Sequence, residues 1–475
     1  MAMMQDAEQA PALPRVTTGV PGLDEVTGGG LLKSGVYILQ GSPGAGKTIL
    51  ANQVAHHHAA GGGHVVYVTM LAESHGRLLQ HMEPFSFFDL AALPERVYYV
   101  SAFNALQSGG LAEVIKLLRG EMRAHSAGIL VLDGLVMAAS AAASDQDLKL
   151  FVSDLQAHAA LTGCTTLLLT SDSADRPVSP EHTMVDGIVL LRERAYGPYR
   201  ERNIEVVKFR GSRTLRGNHT FQIGPDGIVV YPRLEAAMRD SSGDAVQQVA
   251  VSSGVPDIDR LFTLGGFARS SVTAFCGPSG TGKTTASLHF MARASEQEPG
   301  VFMGFYESPE FLAQIGGMQG ADPVGTLSSA HVHYLWHPFG DNPLDVMAAR
   351  LFDTLERTGA KRLVIDGLGG FMAAPAFPER RAGFIASLTN ELRRRKVTTV
   401  ITIEEPDVGG RPPFEMATMS ALADTVLNFK ITREQAVRRF VWVGKSRISR
   451  TDLRIREAVL GPAGLSLLEG FAVGS

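Results

Sequence analysis

Residues 18–48 read TGVPGLDEVTGGGLLKSGVYILQGSPGAGKT, and residues 253–284 read SGVPDIDRLFTLGGFARSSVTAFCGPSGTGKT, the second copy being longer by one residue. Both end in G-x-x-x-x-G-K-T, at Gly41-Ser42-Pro43-Gly44-Ala45-Gly46-Lys47-Thr48 and at Gly277-Pro278-Ser279-Gly280-Thr281-Gly282-Lys283-Thr284. Glycines free the backbone to aim its amides at phosphate oxygens, the lysine brings a cation to the β- and γ-phosphates, and the threonine hydroxyl ligates Mg²⁺. Each loop follows an apolar run, VYILQ or VTAFC, and opens a helical pattern, whose N-terminal dipole adds to the anion site. A chance Gly-rich turn does not explain two such loops in register. The candidate nucleotide contacts are Ser42, Pro43, Gly44, Ala45, Gly46, Lys47 and Thr48 in the first copy, and Ser279, Gly280, Thr281, Gly282, Lys283, Thr284 and Thr285 in the second. The expected ligands are ATP and Mg²⁺.

The repeat continues past the loops. ILVLDGL around Asp133 answers RLVIDGL around Asp366, and VVKFR at Lys208 answers VGKSR at Lys445, with a period near 235 residues throughout. A sustained period of this kind means a duplicated domain. Within the first copy, VYILQ, HVVYVTM, AGILVLDG, TTLLLTS and DGIVLLRE read as strands, and TILANQVAHHHAA and DLKLFVSDLQAHAA as helices. Near-continuous apolar strands alternating with helices imply an α/β fold with a mostly parallel sheet covered on both faces. The expected organisation is a short lead over residues 1–14, a first domain over 15–240 and a second over 249–475, with the boundary in the polar stretch 236–248.

Composition agrees with a globular protein. The chain has 475 residues, 45% hydrophobic and 19% charged, which suits large buried cores rather than disorder. Only Cys164 and Cys276 occur, each beside an apolar run, so both read as buried thiols in a reducing compartment. The N-terminus carries acidic residues and prolines where a signal peptide needs a basic start and an apolar stretch, and the apolar run 129–143 is broken by Asp133 and is too short to span a bilayer. A cytoplasmic protein without membrane association is expected. A net charge of −4 provides no basic field and weighs against nucleic acid as the main partner.

A magnesium–phosphate site also needs a carboxylate at a nearby strand end, and Asp133 and Asp366 end ILVLD and RLVID in that position. The metal set is then Thr48 with Asp133 and Thr284 with Asp366. Hydrolysis further asks for a group that positions or deprotonates water. Glu73 and Glu307 follow the strand after the first helix of each copy and are the candidate general bases.

These residues, with TGVPGLDEVTGGGL ahead of the first loop, resemble the KaiC family of RecA-like ATPases, the core of a bacterial circadian clock, over nearly the whole chain in both copies. The resemblance implies two RecA-like domains, a homo-oligomer in the form of a two-tiered hexameric ring, and ATP between neighbouring subunits. It also implies a catalytic role for Lys208 and Arg210, and for Lys445 and Arg447, as the K-x-R pair that reaches a neighbour's γ-phosphate. Such a cation from the next subunit stabilises charge on the transferring phosphoryl group.

The chain departs from the family at several positions. Two adjacent glutamates are usual there, but this sequence reads Ala72-Glu73 and Tyr306-Glu307. At the family's phosphorylated Ser-Thr pair stand Ser420 and Ala421, leaving Ser420 as the candidate phosphoacceptor of an autokinase. Little chain follows LGPAGLSLLEG where clock members carry a long tail that receives a partner signal. Three adjacent histidines, His56 to His58, point about 100° apart on a helix and read as a solvated patch rather than a metal site. Arg393, Arg394, Arg395 and Lys396 read as cations at a helix C-terminus. Arg192, Arg194, Arg200 and Arg202 flank an expected hairpin turn at residues 196–199. The leading expectation is an ATP-hydrolysing oligomeric regulator. Its competitors are a RecA- or helicase-type motor on single-stranded DNA and a scaffold that binds ATP for assembly.

Overall fold

The computed structural model describes residues 13–70, 75–171, 180–238, 247–316, 323–338, 340, 342–405, 422–433, 436–461 and 464–468. They form two compact units divided between Ala237 and Met238. In the first, the sheet strands in chain order are β1 (Val36–Gly41), β2 (Val65–Thr69), β3 (Val97–Ser101), β4 (Ile129–Asp133), β5 (Thr165–Thr170), β6 (Gly187–Tyr196), β7 (Tyr199–Phe209), β8 (His219–Gly224) and β9 (Gly227–Tyr231). The second supplies β10 (Val272–Gly277), β11 (Gly300–Gly304), β12 (Val332–Trp336), β13 (Arg362–Asp366), β14 (Thr398–Glu404), β15 (Thr425–Arg433), β16 (Val437–Ser446), β17 (Arg456–Gly461) and β18 (Gly464–Leu467). The spatial order is β3-β2-β4-β5-β1-β6-β7-β8-β9 in one unit and β12-β11-β13-β14-β10-β15-β16-β17-β18 in the other. The two sheets therefore share one topology, as the repeat requires.

The first six strands of each order pair in parallel, and the last three add on antiparallel. The parallel part is the alternating pattern seen in the sequence, since parallel neighbours need a crossover helix. The antiparallel extension turns at the expected hairpin, where Tyr196 faces Tyr199. Two-residue alternation along β1, β2, β4 and β5 divides each strand between two cores. Tyr37, Leu39, Val65, Tyr67, Ile129, Val131 and Leu167 join one, with Leu50 and Val54 of α1 (Lys47–Ala60). Val36, Ile38, Val66, Val68, Leu130, Leu132 and Leu168 join the other, with Val114 and Leu118 of α2 (Phe103–Ala124) and Phe151 and Leu155 of α3 (Asp145–Thr162). Burying each such side chain contributes about 1.5–3 kcal/mol, so the sheet is a rigid platform for whatever its edge carries. In the second unit the corresponding helices are α4 (Lys283–Met291), α5 (Leu344–Thr358) and α6 (Pro378–Arg394).

One surface reading is corrected by packing, and another gains specific partners. His56 is not solvated: it is 3% exposed, its ring lies 4.5 Å from that of Phe88, and its Nδ1 accepts the Asp89 N–H at 3.2 Å. Burial lowers its pKa to about 4. Its neighbour His58 is half-buried, while His57 is exposed and within 3.0 Å of the Thr17 hydroxyl. The helix rotation that keeps the three rings apart also turns one of them inward.

The cations around the end of α6 serve specific carboxylates rather than the helix dipole alone. Arg394 and Arg395 each donate to Glu391 at 2.6 Å. Arg393 donates to Asp424 at 3.0 Å and also to the Leu422 carbonyl. Asp424 in turn accepts the Val272 N–H at 2.9 Å, tying α6 to the first residue of β10. Arg393→Ala removes the guanidinium paired with a buried carboxylate that keeps the Val272 N–H, so the unfolding midpoint of the second unit in denaturant is expected to fall by the equivalent of about 3 kcal/mol.

Both cysteines are buried free thiols, with pKa values pushed up to about 12 by burial. Among the described residues, no helix is long and apolar enough to cross a membrane.

Candidate nucleotide-binding sites

Both phosphate loops leave the carboxyl end of a central strand and enter a helix, β1 into α1 and β10 into α4. Gly46 and Gly282, immediately before the lysines, hold φ of 100° and 98°, a left-handed conformation that turns successive amides to the same side of the loop. A side chain at Gly46 would also meet Ile223 Cδ1 at 3.1 Å. The lysines curl over this concavity. Lys47 Nζ donates to the Gly41 and Ser42 carbonyls at 2.7 and 3.0 Å, and Lys283 Nζ to those of Gly277 and Pro278 at 2.6 and 2.7 Å. Burial lowers the Lys283 pKa, against the attraction of Glu404 and Asp366.

The hydroxyl and carboxylate expected at the metal meet in both units. Thr48 Oγ1 donates to Asp133 Oδ2 at 3.2 Å, and Thr284 Oγ1 to Asp366 Oδ1 at 3.4 Å. Parallel register brings this about, because Asp133 ends β4 opposite Thr69 and Asp366 ends β13 opposite Gly304, at the edge from which the loops project. The two aspartates are held differently. In the first unit the Tyr67 hydroxyl donates to Asp133 Oδ2 at 3.2 Å. In the second the Thr402 hydroxyl donates to Asp366 Oδ1 at 2.6 Å, and Leu169 stands at the register position of Thr402 in the first. Burial raises the Asp366 pKa, with the Thr402 and Thr284 hydrogen bonds opposing. A hard oxygen set of this kind, one hydroxyl and one carboxylate beside a phosphate cradle, fits a magnesium ion that keeps most of its waters.

In the second unit these groups line a cavity of about 430 Å³, with Lys283, Thr284, Asp366, Tyr306, Glu307 and Glu404 on its wall. Glu307 is half-buried, and its pKa is raised by burial and then by Asp366 and Glu404. Tyr306 beside it has its phenol pKa raised by burial and by the same acids. Arg439 of β16 reaches this wall from the antiparallel extension and donates through Nε to the Gly280 carbonyl at 2.9 Å. The sequence reading missed Tyr67, Thr402, Glu404 and Arg439. The polar end of TTVITIEE could have flagged Thr402 and Glu404, but nothing local marks Tyr67 or Arg439. Glu73 and Ser420 lie outside the described residues.

The K-x-R residues sit at the opposite edge of each sheet. Lys208 faces Ile188, which faces Ile38, three residues before Gly41. Lys445 faces Val426, which faces Ala274, three residues before Gly277. A β-bulge precedes each lysine, between the pairs at Ile188 and Val189 and between those at Val426 and Leu427. Such a bulge re-aims the side chain that follows it. Lys208 Nζ donates to the His182 and Thr183 carbonyls at 2.9 and 3.1 Å, Arg210 to the Thr183 carbonyl at 3.2 Å, and Lys445 to that of Ala423 at 3.1 Å. Arg210 and Arg447 are exposed. The Asp186 and Asp424 carboxylates cap the first N–H of β1 and β10 at 2.9 Å beside these cations.

A family model described as ATPase: KaiC matches residues 16–235 and again 251–470. The chain is 25% identical to a protein named circadian clock protein KaiC2 from Synechocystis, the match covering 98% of this chain and 84% of that protein. It is 23% identical to the circadian clock oscillator protein KaiC of Picosynechococcus, over 96% of this chain and 90% of the relative.

Proposed function

Because the chain belongs to the KaiC family of ATPases, we propose that it binds and hydrolyses ATP at two sites and works as an oligomeric regulator set by nucleotide state. The observation that carries this reading is the threonine-to-aspartate contact beside each phosphate loop, which recurs in both units. The domains are taken as residues 15–240 and 249–475, each holding one ATP through the loop residues 42–48 or 279–285. Thr48 with Asp133, and Thr284 with Asp366, would hold Mg²⁺, which neutralises charge on the β- and γ-phosphates when bound.

Lys208 and Arg210, and Lys445 and Arg447, are assigned to a neighbouring subunit's nucleotide. Lys208 and Lys445 lie three residues, about 10 Å, back along the central strand from their own loops. They belong to the opposite edge of the sheet, which favours a neighbour's γ-phosphate over their own. A head-to-tail ring, hexameric by family expectation, brings one subunit's amino edge to the next subunit's carboxyl edge. Assembly is then a condition for turnover.

Glu73 and Glu307 are the assigned water-directing carboxylates. Each site has one, and Tyr306 occupies the neighbouring position in the second. That substitution favours the other reading, an assembly scaffold with little turnover, and phosphate release separates the two. Glu73→Gln and Glu307→Gln are each expected to remove their own site's share, and the double variant to lower release by roughly 100-fold, as loss of a carboxylate that directs or deprotonates the water does. An unchanged double variant removes this assignment, and a wild-type chain that binds ATP without releasing phosphate leaves the scaffold. Ser420 is the remaining phosphoacceptor for a weak autokinase. Cytoplasmic location follows from the same reading.

A further inference from the structure

At one strand end beside the phosphate loop the second unit carries a carboxylate where the first has a serine. Glu404 ends β14 in register with Gly277, the opening residue of the phosphate loop, and lines the cavity with Lys283 and Thr284. In the first unit the residue following β5 at the corresponding position is Ser171.

Strand order ranks the acids of this wall by their distance from the loop. Counting away from β10, the neighbours are β14, β13 and β11, which lead to Glu404, Asp366 and Glu307 in turn. At about 4.8 Å per strand, the strand bearing Glu404 lies roughly 5 Å from the loop strand and the one leading to Glu307 roughly 14 Å. Asp366 is engaged by two hydroxyls, those of Thr402 and Thr284, which fit it to the metal side. Glu404 is exposed on the cavity wall, with an ionisable group that no step has used. Its charge is the largest attraction acting on the Lys283 ammonium, and it also acts on Glu307 and Tyr306 across the cavity. Tyr306, a phenol with a raised pKa, offers no carboxylate where one neighbouring Glu307 is missing.

Resting on the reading that the second site hydrolyses ATP, we propose that Glu404 is a further catalytic residue of that site. Glu307 orients the attacking water and Glu404 takes its proton. The water oxygen forms a bond to the γ-phosphorus as the bond from that phosphorus to the β,γ-bridging oxygen breaks. The electron pair leaves on ADP, and the proton passes to the Glu404 carboxylate and then to solvent. The first site, with Ser171 at the position of Glu404, is the slower of the two.

The test uses the full chain and reads phosphate release together with ATP affinity in wild type, Lys283→Ala, Glu404→Gln, Glu404→Asp and the double variant Lys283→Ala/Glu404→Gln. The difference between wild type and Lys283→Ala is the second site's share. Glu404→Gln is expected to lower that share by about 10- to 100-fold with ATP affinity changed by less than about threefold, since a general base contributes 10²- to 10⁴-fold and Glu307 remains. Glu404→Asp is expected to restore part of it, and the double variant to match Lys283→Ala. A share that is unchanged in Glu404→Gln, with tighter ATP binding, overturns the proposal and makes Glu404 only a charge that repels phosphate. If Lys283→Ala releases phosphate as fast as wild type, the second site has no turnover, and the hydrolytic reading of that site falls along with the role of Glu404.

Discussion

Chains carrying Lys47→Ala and Lys283→Ala together are expected to bind ATP at least about 30-fold more weakly than wild type and to release no phosphate above background. The reason is local. Each ammonium is held against the first two carbonyls of its own loop, at 2.7 and 3.0 Å in one unit and 2.6 and 2.7 Å in the other. This places it within the amide concavity proposed to take the polyphosphate. Lys283 is only 9% exposed, so its charge acts with little screening by water. Truncating one partner of a buried, hydrogen-bonded charge pair costs about 2–5 kcal/mol, which is roughly 30- to 4,000-fold in affinity. Calorimetric titration with Mg-ATP measures it directly. Each single variant is expected to leave one binding event of the two. An affinity that survives both changes would remove the phosphate-loop reading altogether.

The second large effect concerns the far edge of the sheet. Arg210→Ala with Arg447→Ala is expected to reduce turnover by about 10³- to 10⁵-fold while ATP affinity changes little, because a cation supplied to the transition state acts mainly on kcat. Both guanidinium groups are exposed at an edge facing away from their own loops. Their loss therefore does not open a core. The trans assignment has its own check by mixing. A chain lacking both arginines, combined with a chain lacking both loop lysines, is expected to regain a measurable fraction of wild-type turnover, since some interfaces join an intact loop to an intact arginine. A mixture as inactive as its components places the arginines elsewhere.

Much of this was legible in the sequence because the signals are local. The loops need glycine at positive φ, and Gly46 and Gly282 adopt it. Helix α3 begins at Ser144, whose hydroxyl accepts the Asp147 N–H, and stops at Gly163 in the left-handed conformation, so its ends are written in single residues. The pairing of Thr48 with Asp133 was readable as well, since both follow apolar strand patterns at their carboxyl ends. What failed was the reading of side chains whose surroundings come from distant segments. His56 sits in a polar-looking trio, yet Phe88 and Asp89 cover it. Arg393 does close its helix as the pattern suggested, but its partner Asp424 lies 31 residues away in the chain and 3.0 Å away in space, where no local signal points to it.

The repeated phosphate loops, the alternating apolar runs and the strand-ending aspartates determined by themselves that this is a duplicated nucleotide-binding α/β protein. Those features depend on backbone conformation and on periods of a few residues, which a one-dimensional string records. Only the tertiary structure decided that Lys208 and Lys445 face away from their own loops, that Tyr67 supports one aspartate and Thr402 the other, and that Glu404 stands one strand from the phosphate site. Strand order and register set those relations, and they follow from how two cores pack against both faces of one sheet, which no short stretch of sequence contains.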